Sequence, residues 1–197
     1  MRSRALRSLC VFCGSSPGHS PGYAAAARRV GSRLAGDAVR LVYGGGGVGL
    51  MGAIADAVLD SGGQVTGVIP QALVQRELAH ARVRDMRVVP DMHSRKALMA
   101  DLADAFLALP GGFGTLDELL EAVTWAQLGL HAKPIGLLDL DGYFAPLLAL
   151  IEHAVAEGFI APGDRRLVFV DSDPDRLVDA LARAVGIPRT AIAGLER

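Results

Sequence analysis

Two clusters of residues in this chain combine reactive side chains with backbone able to hold an anion. The first, Pro110-Gly111-Gly112-Phe113-Gly114-Thr115-Leu116-Asp117-Glu118, follows an apolar run ending at Leu109 and leads into a helical pattern beginning near Leu116. Glycines let a chain turn its amides toward a ligand, and a helix N-terminus adds partial positive charge. Gly111, Gly112, Gly114 and Thr115 therefore read as a seat for a phosphate. Glu118 has two readings. Thr115-x-x-Glu118 is a capping-box pattern, in which the carboxylate reaches back to the cap amide; an anion on the same amides would instead leave it facing the ligand. The second cluster is Met92-His93-Ser94-Arg95-Lys96, with two cations in the first turn of a helix capped by Asp91 or Ser94. Cations there oppose the helix dipole, so they are either a solvated charged pair or a site for phosphate or sugar around the permanently charged Arg95.

Two more glycine loops follow strand-like runs. Gly14-Ser15-Ser16-Pro17-Gly18 is either an ordinary turn or a place where the amides and hydroxyls of Gly14 and Ser15 meet an anion or sugar. The stretch from Gly44 to Gly52 contains a literal G-x-G-x-x-G. It follows the second strand instead of the first, and the next strand ends in Val68-Ile69-Pro70-Gln71 with no acid for a ribose diol. Close approach of Gly45 and Gly46 to a smaller ligand fits better than a dinucleotide.

The elements that must position these loops alternate along the chain. Candidate strands are Leu9 to Cys13, Arg40 to Tyr43, Val65 to Ile69, Met86 to Val89, Ala105 to Leu109, Pro134 to Leu138 and Leu167 to Val170. Helical patterns lie near Tyr23 to Ala35, Leu50 to Asp60, Ser94 to Asp101, Leu116 to Leu128, Tyr143 to Glu157 and Pro174 to Val185. Repeated βα units predict an α/β fold, doubly wound and Rossmann-like, with a mostly parallel sheet and helices on both faces. Ligands in such folds sit beyond the carboxyl ends of the strands, which is where all four clusters fall. Residues 1–197 are expected to form a single domain, with about 188–197 a loosely held tail.

Composition narrows the function. With 20 basic and 21 acidic residues the chain has no global positive field, which disfavours nucleic acid as a partner. The apolar run from Ile135 to Ile151 is broken by Asp139 and Asp141, and Met1 to Leu9 runs into a strand without a signal-peptide core. No membrane association and a cytoplasmic location are expected. Cys10 and Cys13 have C-x-x-C spacing, but strand alternation sends them to opposite faces and no second pair completes a tetrahedron, so they read as core residues and no metal is expected. Triphosphate-loop, nucleophile-elbow and H-E-x-x-H patterns do not occur.

Met92-His93-x-Arg95-Lys96 followed by Pro110-Gly111-Gly112-x-Gly114-Thr115-x-x-Glu118 resembles the signature of the LONELY GUY family. Cys13-Gly14-Ser15-Ser16, Tyr43-Gly44-Gly45-Gly46 and Thr124-Trp125-Ala126-Gln127-Leu128-Gly129 extend the resemblance over nearly the whole chain. It departs at Asp117, where the family commonly has Glu. The resemblance implies an N-glycosyl hydrolase, a phosphoribohydrolase that splits cytokinin riboside 5'-monophosphates, and AMP as well, into free base and ribose 5-phosphate without a cofactor. By matching position, Arg95 and Glu118 become catalytic. Glu77, Met92, Lys96 and the loop from Gly111 to Thr115 become substrate-binding, beside Gly14, Ser15, Gly45 and Gly46. It also implies a homodimer with the site near the interface, for which Trp125 is a contact or else a core residue. An AMP nucleosidase for purine salvage is an alternative. So is a non-catalytic carrier of a phosphorylated ligand resembling molybdenum-cofactor carrier proteins. The older label of lysine decarboxylase has no support in a chain with only two lysines, Lys96 and Lys133.

Overall fold

In the computed structural model, residues 5–74 and 79–187 are described. Short runs of β-branched and aliphatic residues form seven strands: β1 (Ser8–Phe12), β2 (Arg40–Tyr43), β3 (Val65–Pro70), β4 (Asp85–Val89), β5 (Ala105–Ala108), β6 (Ile135–Leu138) and β7 (Val168–Asp171). Six helices join or follow them: α1 (Pro21–Gly36), α2 (Gly49–Asp60), α3 (Met92–Leu102), α4 (Phe113–Gln127), α5 (Ala145–Ala156) and α6 (Pro174–Ala184). The strands form one sheet in the order β4-β3-β2-β1-β5-β6-β7, and every pairing is parallel. The mostly parallel sheet expected from the alternating βα units is thus parallel at every strand pairing among the described residues.

Alternation along β1 divides the core. Leu9, Val11 and Cys13 face a layer that includes Val30 and Leu34 of α1, Ile54 and Val58 of α2, and Leu177 and Leu181 of α6. Cys10 and Phe12 face the opposite layer with Met99 of α3 and Leu119 and Ala122 of α4. Both cysteines are buried and free, one in each layer, as the spacing implied. Burying each such large apolar side chain contributes about 1.5–3 kcal/mol, which is why short strands suffice. Ser20 and Asp173 cap α1 and α6, and Arg29 ties the two helices together through Asp173 and Asp175.

The chain steps outward from β1 to β4 and then returns to β5 on the other side of β1. The loops after β1 and β5 therefore leave adjacent strands toward opposite faces, which opens a crevice at the carboxyl edge.

Two helix starts differ from expectation. α3 begins at Met92 with Asp91 as its cap: Asp91 Oδ1 accepts the Ser94 N–H at 2.7 Å, and this bond with the Ser94 side chain holds its carboxyl below the ordinary range. α4 begins at Phe113, not near Leu116, with Gly112 in the cap position and no side-chain cap. Thr115 and Glu118 thus lie inside the helix, and the capping-box reading is overturned because the glycine pair already supplies the turn that a Thr cap would have made. The proposed tail at 188–197 lies outside the described residues, and no described helix is long and apolar enough to cross a membrane.

Candidate active site

The glycine loops that follow β1 and β5 meet at the crevice. Gly14 N–H donates to the Pro110 carbonyl at 3.1 Å. A Cβ on Gly111 would stand 2.0 Å from Thr115 Oγ1 and 2.8 Å from the Gly14 nitrogen, so only glycine permits this approach. Between the loops lies a cleft of about 230 Å³. Its walls include Gly14 and Ser15 from the loop after β1, Gly112, Phe113, Gly114 and Thr115 from the stretch after β5, and Met92, Arg95 and Glu118.

Where the helix-terminal amides go decides which loop can hold an anion. At the start of α2 the amides of Leu50 and Met51 both donate to the Gly14 carbonyl, at 3.0 and 3.3 Å. That terminus is already satisfied by protein, which gives the physical reason why its G-x-G-x-x-G is no dinucleotide seat. At the start of α4 the first helix-closing bond runs from Leu116 N–H to the Gly112 carbonyl at 3.1 Å. The preceding first-turn amides, Phe113, Gly114 and Thr115, have no acceptor within the helix, and they belong to residues lining the cleft. Thr115 is buried beside them.

Arg95 is 4% exposed, so it is no solvated surface charge. Its position on α3 carries it under the end of β2, where Nη2 donates to the Gly44 carbonyl at 3.0 Å and Nη1 lies 3.7 Å from Met92 Sδ. From α4, Glu118 Oε1 approaches Arg95 Nη2 at 4.0 Å, and both side chains are largely buried. Such a pair, enclosed on the protein side and open to the cleft, puts a negative and a positive group against one ligand. Cys13 also lines the cleft, but burial and the charge of Glu118 push its thiol far above the usual range; it stays protonated and is a poor nucleophile.

Other residues singled out in the sequence fall elsewhere. Lys96 does not line the cleft: its Nζ lies 3.1 Å from Asp117 and 3.0 Å from Glu121, bridging α3 to α4 just outside the Arg95–Glu118 pair. Burial alone would lower its pKa, but the bonds to Glu121 and Asp117 outweigh this and raise it. Gly45 and Gly46 are also not among the lining residues. The Gly45 carbonyl accepts the His80 N–H at 3.0 Å and Gly46 bridges Ala79, so this loop holds the segment preceding β4. Glu77 lies outside the described residues. Trp125 is partly buried against the α4-side core. Val11, Gly44 and Met51 line the cleft without having been singled out. For Gly44 the available signal was its place immediately after a strand.

A switch-point cleft lined by first-turn residues of a helix, an arginine and a carboxylate marks this Rossmann-like fold. Residues 51–181 match the family model described as "Possible lysine decarboxylase". The chain is 51% identical over 181 residues to cytokinin riboside 5'-monophosphate phosphoribohydrolase LOG3 of Arabidopsis thaliana, covering 92% of this chain and 84% of that protein. It is 53% identical over 167 residues to the LOG enzyme of Oryza sativa subsp. japonica, covering 85% and 69%. The chain belongs to the LONELY GUY family. In fold it is also similar to the molybdenum cofactor carrier protein of Chlamydomonas reinhardtii, with a TM-score of 0.68 at 20% identity over 90% of this chain and 97% of that one. The molybdenum cofactor binding protein of Rippkaea orientalis gives 0.67 at 22% over 91% and 95%.

Proposed function

We propose that the protein is a nucleoside 5'-monophosphate phosphoribohydrolase that cleaves the N-glycosidic bond of N6-modified adenosine 5'-monophosphates, and of AMP. Water adds to C1', the C1'–N9 bond breaks, and free base and ribose 5-phosphate leave. The observation that carries this reading is the approach of Glu118 to Arg95, 4.0 Å, on the wall of a cleft that the first-turn residues of α4 also line. The 5'-phosphate binds those amides with Thr115, and this remote contact holds the ribose in place for reaction. Departure of the base leaves positive charge on the ribose, as in glycoside hydrolysis. Glu118 stabilises that charge and takes the proton of the attacking water. Arg95 orients the nucleotide. The relatives at about half identity, named for the same reaction, support the assignment.

Lysine decarboxylation, which the family description names, gains no support from the cleft. No lysine lines it, Lys96 is held by Asp117 and Glu121, and Lys133 Nζ donates to the Ala100 carbonyl. A carrier retaining a phosphorylated ligand would use the same amides but has no need of a carboxylate beside the sugar.

We also propose a homodimer formed through the outer face of α4. Phe113 and Leu120, seven residues apart, share that face, Leu128 follows just past the end of the helix, and all three are exposed, with Phe113 lining the cleft. A second copy covering this stripe would stand close to the site.

Chromatography of AMP and isopentenyladenosine monophosphate after metal-free incubation tests the activity. Release of base and ribose 5-phosphate supports it, and the ratio between the two nucleotides separates cytokinin activation from purine salvage. Binding without release supports the carrier instead.

A further inference from the structure

The Tyr143 hydroxyl donates to the carbonyl of Gly111. In a trans peptide the carbonyl and the next N–H point in opposite directions, and no described peptide is cis. The Gly112 N–H is therefore aimed away from Tyr143. Gly112 lines the cleft and Tyr143 does not. We infer that Tyr143 is a positioning residue of the anion seat, locking the Gly111–Gly112 peptide so that the Gly112 amide joins those of Phe113, Gly114 and Thr115 in facing the ligand. This inference rests on the reading of the cleft as a phosphate site.

A lock is needed at this peptide more than at any other in the loop. It lies between two glycines, whose backbones rotate with little steric resistance. Gly111 is hemmed in by Thr115 and Gly14, but a Cβ on Gly112 would meet nothing within 4 Å, so packing does not hold its side of the bond. The preceding peptide is already fixed, because the Pro110 carbonyl accepts the Gly14 N–H at 3.1 Å. If the Gly111–Gly112 peptide turned over, it would place a carbonyl oxygen where the phosphate sits, replacing an attractive dipole with a repulsive one.

Tyr143 is itself held on several sides. It follows β6 through a tight turn in which Asp141 and Gly142 both have positive φ, 52° and 73°. Its ring meets Phe144 edge-on at 5.0 Å and Tyr23 at 5.9 Å. Phe144 is buried, and its N–H donates to Asp139 Oδ1 at 2.7 Å. Tyr23 in turn lies against Gly18, where a Cβ would come within 2.7 Å of the ring. The hydroxyl is thus presented to the loop by a partly exposed ring braced against Phe144 and Tyr23.

Tyr143→Phe keeps the rings and removes only the hydroxyl. The expected result is a KM for the nucleotide raised about fivefold to tenfold, the effect of losing one ordinary hydrogen bond, with kcat within about twofold. Hydrolysis of the corresponding nucleoside, which lacks the phosphate, should not change. Ribose 5-phosphate binding, measured by calorimetry, should weaken by the same factor, and this arm needs no turnover: if the wild type binds the sugar phosphate but releases no base, weaker binding in the variant supports the inference while the proposed activity fails. Unchanged ribose 5-phosphate affinity overturns it. So does an equal loss on nucleotide and nucleoside, which would mark a general structural role.

Discussion

The guanidinium of Arg95 occupies the space that a side chain on Gly44 would fill: a Cβ built on Gly44 stands 2.0 Å from Nη2, and the same nitrogen donates to the Gly44 carbonyl at 3.0 Å. The end of β2 and the first turn of α3 thus form one unit, in which a missing side chain and a long one are complementary. Gly44→Ala is expected to keep the fold, since Gly44 has a negative φ, but to displace Arg95 from Glu118. Misplacing a positioning group by about 1 Å costs on the order of 100-fold, so base release should fall by roughly that factor with an unchanged circular dichroism spectrum. Near-normal turnover would show that Arg95 does not need this seat.

Arg95 itself is expected to contribute to both binding and turnover. Arg95→Ala should raise KM and lower kcat together, in steady-state kinetics with the better nucleotide. Arg95→Lys should not restore activity, because an ammonium has a single nitrogen and cannot place one on the Gly44 carbonyl and another beside Met92 in one plane. Full recovery with Lys would reduce the role to charge alone.

Stability should depend on pH through the cap of α3. The carboxyl of Asp91 is held below its ordinary value by the Ser94 N–H and then by the Ser94 side chain. A depressed carboxylate contributes its full stabilisation above the unfolded value, about 3.9, and loses it as pH falls through the folded value. Asp91→Ala should therefore lower Tm at neutral pH, and the gap from wild type should narrow as pH is lowered below about 3.9. Thermal melts across that range check it; a gap that stays constant means the cap acts without its charge.

The proposed dimer predicts a sedimenting species of twice the 20.6 kDa chain. Leu120→Asp with Leu128→Asp, exposed positions on the outer face of α4 and just past its C-terminal end, should shift it to the monomer without loss of helix content. A wild-type monomer at micromolar concentration would contradict the dimer.

The order of strands and helices was legible because short apolar runs alternate with helical patterns, and β1 shows why: alternate residues feed two separate cores, so its apolar run is unbroken. Helix starts were less legible. Gly111-Gly112 reads as loop and Thr115 as a cap, yet the helix begins at Phe113, because backbone turning by glycine leaves no local mark of where it stops. The Arg95–Glu118 pair was legible as two motifs but its burial was not, since what buries Arg95 is the empty space at Gly44, 51 residues away. Lys96, adjacent in sequence, faces the carboxylates of α4 instead of the cleft, because neighbouring residues on a helix point about 100° apart. The part played by Tyr143 is invisible in sequence, as its partner is a backbone carbonyl 32 residues distant.

The most direct test of the central claim is Glu118→Gln, with nucleotide affinity and base release measured on the same preparation. The side chain keeps its size and its place on α4 but can no longer carry negative charge or take a proton. The account predicts nucleotide binding within a few-fold of wild type and release of free base reduced by at least about 100-fold, the range for loss of a general base. Release at the wild-type rate would contradict it and remove Glu118 from the chemistry.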